Sequence, residues 1–157
     1  MPVNSNAKTT RMHMHHVPRL HPVLWASLGA YFMASLVHFV HNAEYIALYP
    51  NMPAWVSRES VCLVWAGISA MGSVGVALVL FGAKTPGLAL IGLYGLMGLD
   101  GLGHYALALC SEHTLVMNAT IWFEVGAGVL LAVTCCVCAR AKSPYGPVSA
   151  QVEVRRC

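Results

Sequence analysis

Between Val61 and Ala83 the chain runs for 23 residues without one charged side chain. A bilayer's hydrocarbon core takes about 20 predominantly apolar residues in a helix. Three further stretches meet that length. Leu115 to Ala139 carries a single charge, at Glu124, and Pro86 to Leu109 is interrupted by Asp100 and His104. Val23 to Tyr49 is apolar as far as Val37 and then polar at His38, His41, Asn42 and Glu44. Only 10% of the residues are charged, against about 25% in soluble domains, so the expected solvent is lipid.

Turn chemistry separates these stretches. Pro50 and Pro53 close the first, Ser57 is placed to cap the second, and Thr85-Pro86 resembles a capped start of the third. Cys110 to His113 reads as a tight hairpin. Short connections favour antiparallel neighbours. The prediction is an all-α integral membrane protein, an up-down-up-down bundle of four transmembrane helices over about 23–49, 61–83, 86–109 and 115–139. This domain, 22–142, sits between a disordered tail at 1–21 and a second tail at 143–157.

Orientation follows from the basic residues. Lys8, Arg11, Arg19, Lys84, Arg140, Lys142, Arg155 and Arg156 fall on one side of such a bundle, and Arg58 alone falls on the other. The positive-inside bias puts both termini in the cytoplasm. The plasma membrane or a bacterial inner membrane is expected over an organelle. Tyr45, Tyr49 and Trp55 would then form an aromatic belt at the outer interface. A net charge of +3 without a basic groove argues against nucleic acid. The lipid bilayer and a lipophilic small molecule are the expected partners, with room for a homo-oligomer. Six cysteines without a CxxC pair indicate neither a thioredoxin-like motif nor a zinc ribbon.

The polar residues of the spans share one half of the membrane. At about 1.5 Å per residue, His38, Asp100 and Glu124 fall at similar depth, with His41 and His104 nearer the outer surface. Glu44, Glu59 and His113 would form the rim. Ionisable groups within a membrane are costly and mark functional sites by default. One expectation is therefore a metal site built from His38, His41, Glu44 and His104, suited to iron, zinc, copper or manganese. Asp100 and Glu124 are candidate catalytic carboxylates, one acid and one base. A haem between His41 and His104 ranks below these, because two carboxylates lie close by. The Met12 to His16 run adds soft ligand types in a tail that is more simply a polar extension. These features point to a metal-dependent membrane enzyme acting on a lipophilic substrate. The alternative is a proton, ion or metal transporter, with a non-enzymatic accessory subunit third. The cytoplasmic half supplies few polar groups for a through-path: Ser27, Ser35, Ser69 and Ser73.

Overall fold

A computed structural model of the protein describes residues 21–141, which are helical with no strand among them. The two tails, with Lys8, Arg11, Arg19, Lys142, Arg155, Arg156 and the Met12–His16 run, lie outside the described residues. Four helical segments are long and apolar enough to cross a membrane: Pro22–Glu44, Arg58–Leu80, Lys84–Leu107 and Leu115–Arg140.

Helix α1 (Pro22–Glu44) starts at a proline, with the His21 side chain accepting a hydrogen bond from the Val23 N–H. It stops five residues earlier than the apolar run suggests. A 3-10 turn at Ile46–Leu48 follows and folds Tyr49 back against the bundle, leaving it 4% exposed. Helix α2 (Arg58–Leu80) opens on Ser57, which exchanges capping hydrogen bonds with Ser60. Its end turns at Gly82, whose φ of 92° is easily reached only without a Cβ. The third span therefore begins at Lys84, ahead of the Thr85-Pro86 pair, and no side chain caps it.

That third span is not one helix. It is α-helical over Lys84–Leu96 (α3), 3-10 over Met97–Gly103, and α-helical for a final turn over His104–Leu107 (α4). Runs of 3-10 helix beyond three or four residues are uncommon, and inside a helix they mark a strained or functional stretch. A 3-10 turn at Cys110–Glu112 leads into α5 (Leu115–Arg140), capped by Thr114. Asn118 ties this hairpin down, donating to the Cys110 carbonyl at 3.0 Å and accepting from the Tyr105 hydroxyl at 2.7 Å.

Each helix runs antiparallel to the neighbours it packs on. Gly72 meets Tyr94 and Gly75 meets Ile91 between α2 and α3, while Gly95 meets Gly128 and Gly98 meets Glu124 between the third span and α5. His38 meets Glu124, and Tyr31 lies by Gly128, between α1 and α5. Phe32 lies by Trp65, and Glu44 pairs with Arg58, between α1 and α2. The start of α1, the turn at Gly82 and the end of α5 therefore share one end of the bundle. A tight apolar core fills that half, around Leu24, Leu88, Ile91 and Leu131. The opposite half holds a small cluster of Phe39, Ala43 and Val61, with Met117 and Ile121 of α5 also buried there. Buried polar side chains, His38, Asn42, His113 and Glu124, share that half with them.

Candidate functional site

The inward face of α1 is Tyr31, Ser35, His38 and Asn42, at i, i+4, i+7 and i+11, and all four are buried. His41 lies off that face. The histidines of the His38-x-x-His41 pair therefore fall into two environments, one in the bundle and one at its edge.

His38 is 2% exposed and faces α5. Its Nδ1 lies 3.4 Å from the Thr120 hydroxyl, and its Nε2 lies 3.6 Å from Glu124 Oε2. The Thr120 hydroxyl donates its hydrogen to the Met117 carbonyl at 3.0 Å. It can therefore only accept from His38, which puts a proton on Nδ1. The lone pair or proton at Nε2 then faces a carboxyl, and the facing pair needs one shared proton to avoid opposing two acceptors. Glu124 is fully buried, and neither of its oxygens has a hydrogen-bond partner among the described residues. Burying such a group costs several kcal/mol unless it is neutral or paired, which is the physical reason His38 stands opposite it.

His104 is the centre of a ring cluster. The His38 ring lies 5.5 Å away, the Tyr49 ring stacks on it at 4.8 Å and 35°, and His113 lies at 6.2 Å. The His104 Nε2 is 3.3 Å from the Asn42 side-chain nitrogen. His41 joins the cluster through Tyr49, whose hydroxyl lies 3.0 Å from His41 Nδ1. Tyr49 is thus an interior residue and not part of an interfacial belt, whereas Trp55 is 80% exposed. His113 is likewise buried instead of rim-like, with Nδ1 3.0 Å from the Leu109 carbonyl. Burial pushes the Tyr49 phenol up to about 12, and the nearby Thr120 hydroxyl opposes that rise in part.

The candidate metal ligands do not share one place. Glu44 is turned to Arg58 in an exposed ion pair, and His41 is directed at Tyr49. Among the described residues no group of three His, Cys, Asp or Glu side chains is arranged to hold a metal ion. The two candidate carboxylates are also in different settings: Glu124 is fully buried, and Asp100 is exposed.

Asp100 lines a cavity of about 330 Å3 between α1, α2 and the third span. Asp100, His38, Asn42 and His104 form its polar wall, and Phe39, Val61, Val64 and Trp55 contribute apolar surface. Gly101 keeps this wall thin. A Cβ there would stand 3.5 Å from Glu124 Oε2 and 3.8 Å from His38 Nε2. Tyr31, Ser35, Tyr49 and Thr120 are site residues that intramembrane charge alone does not reveal. The register of Tyr31, Ser35, His38 and Asn42 on one helical face is the signal that finds the first two. Compared with protein-family models, curated proteins and solved structures, the chain matches none.

Proposed function

We propose that this chain is a multi-pass membrane protein, crossing the bilayer four times with both termini cytoplasmic, that binds a lipophilic molecule in the cavity beside His38 and exchanges a proton with its polar head. Its membrane is the plasma membrane or a bacterial inner membrane. In this orientation the cavity lies in the outer half of the membrane, open sideways between helices where a molecule dissolved in lipid could enter.

The carrying observation is the cavity's asymmetry: Phe39 of α1, Val61 and Val64 of α2 and Trp55 give apolar surface, while Asp100 and His104 of the third span, with His38 and Asn42 of α1, give a carboxylate and two imidazoles. Ligand sites combine a mostly apolar lining with a few placed polar groups. Asp100 and His104 are the groups within reach of a ligand head, and they supply an acid and a base by side-chain type. Glu124 has the supporting role, since it is buried behind His38 and shares that residue's proton. Acid–base chemistry on a sterol-, quinone- or isoprenoid-like molecule fits this division better than a metal centre does, because the candidate ligands are spread over three settings.

Photolabelling of the purified protein with a photoreactive quinone or sterol analogue tests this reading. Wild-type protein should be labelled saturably, and unlabelled analogue should compete. Val64→Trp, which fills the cavity from α2, should weaken labelling by about tenfold or more, equivalent to about 1.4 kcal/mol. Asp100→Asn should weaken it with the cavity left open. Labelling that neither saturates nor responds to Val64→Trp would overturn the proposal.

A further inference from the structure

The polar residues do not stop at the cavity. On the side of Glu124 nearer the shared end of the bundle, Ser35 Oγ and Tyr31 Oη are both fully buried, and neither has a hydrogen-bond partner among the described residues. The Ser35 hydroxyl lies beside both the Tyr31 and the Glu124 side chains. The Tyr31 ring packs edge-on against Tyr94 with centroids 4.6 Å apart. Tyr94 Oη is again buried without a partner, beside an equally unpartnered Ser69 Oγ. Tyr94, Ser69 and Ser73 line a second cavity, of about 270 Å3, between α1, α2 and α3.

In the other direction His38 Nδ1 reaches Thr120, Thr120 lies beside Tyr49, and Tyr49 bonds His41 at the partly exposed edge. The string therefore has a mouth in each half of the bundle. Each hydroxyl left without a partner costs about 1–3 kcal/mol. Phenylalanine and alanine would fill the same volumes without that cost. Their polar counterparts occur together here, in one line, through the centre of an apolar bundle.

We infer that this string is a proton path across the membrane domain, running from the cavity lined by Tyr94 and Ser69 through Tyr31, Ser35, Glu124, His38 and Thr120 to Tyr49 and His41. The step between the two tyrosine hydroxyls, whose rings meet edge-on, requires a bridging water. The transfer balances without oxidant or reductant. Glu124 Oε2–H gives its proton to His38 Nε2 while His38 Nδ1–H gives one to Thr120. The Thr120 hydroxyl's own hydrogen turns from the Met117 carbonyl to the Tyr49 oxygen as the Tyr49 hydroxyl gives its hydrogen to His41 Nδ1. Ser35 and Tyr31 then return a proton to Glu124 and take one in replacement, through water and the Tyr94 hydroxyl, from the cavity beside Ser69; the imidazole turns to reset. The net change is one proton moved from one cavity to the opposite edge. Asp100, Asn42 and His104, on the flanking cavity wall, set the field that the His38–Glu124 proton feels. Metal-free proton movement of this kind stands independently of any ligand in the outer cavity.

The test is proton flux into vesicles of neutral and anionic phospholipid containing the full chain, driven by a potassium diffusion potential and read with an internal pH dye. Flux above protein-free vesicles is expected. Glu124→Gln and Tyr31→Phe should each lower it about tenfold or more, while the lipid-facing Trp122→Phe leaves it unchanged. Tyr31→Phe removes one oxygen from a ring that keeps its packing, so it carries the test if Glu124→Gln does not fold. No flux from wild-type protein at either polarity would overturn the path. So would full flux in the two path variants with wild-type melting curves.

Discussion

Tyr49 shows how a residue outside the spans becomes part of the interior. Its hydroxyl meets His41 and its ring covers His104, so it closes the histidine cluster at the outer end of the bundle. Burial holds the phenol protonated up to about 12, whereas an unfolded tyrosine ionises near 10. The unfolded state therefore loses a proton first as pH rises. The contribution of this phenol to stability is complete below pH 10 and declines as pH climbs from 10 towards 12. Ultraviolet difference titrations of wild type and Tyr49→Phe should superimpose through pH 10 and separate only near pH 12. A difference already present at pH 10 would mean that the ring is open to water. The sequence contains the residue but not this role. His38, Asp100, His104 and Glu124 stand out because charge is rare in a membrane span. Tyr49 resembles any interfacial tyrosine until the turn at Ile46–Leu48 folds it inward.

At the scale of the element, the third span explains how Asp100 comes to line a cavity. Gly92, Gly95, Gly98 and Gly101 recur every three residues. In an α-helix that spacing drifts around the axis, but in a 3-10 helix residues at i and i+3 eclipse. The tightened stretch at Met97–Gly103 thus keeps Gly98 and Gly101 both facing α5. Their surroundings are unequal. A Cβ on Gly98 would come within 2.7 Å of the Tyr31 ring, and one on Gly128 would collide with the Gly95 carbonyl, whereas one on Gly101 meets only ordinary contacts from 3.5 Å outward. Gly98→Ala and Gly128→Ala should each destabilise by about 1–3 kcal/mol, the usual cost of overpacking. Gly101→Ala should stay close to wild type. Thermal unfolding in detergent checks the order, and Gly101→Ala as the worst of the three would contradict this packing. The existence of the span was legible from hydropathy. Its change of winding was not, because glycine content announces close packing without saying which helix it serves.

For the whole molecule, composition and charge speak most directly. Four apolar stretches become helical segments of spanning length, the third of them broken by its 3-10 stretch, and helices suit such apolar runs because each satisfies its own backbone hydrogen bonds. Charge asymmetry then gives this otherwise near-symmetric bundle a direction. Lys84 and Arg140 lie at the end where α1 begins, and Arg58, paired with Glu44, lies at the other. An exposed pair of that kind contributes about 0–1 kcal/mol, so Arg58 is better understood as one basic residue partly offset by its carboxylate than as a competing topology signal. The histidine cluster and the ligand cavity should then face the non-cytoplasmic side. With the six native cysteines replaced, a single Asn51→Cys in the α1–α2 connection should react with a membrane-impermeant thiol reagent added to intact cells. A single Lys84→Cys should react only after the membrane is permeabilised. The reverse pattern would invert the bundle and place the cavity's polar wall in the cytoplasmic half, so that the proposed path would have its His41 mouth inside the cell.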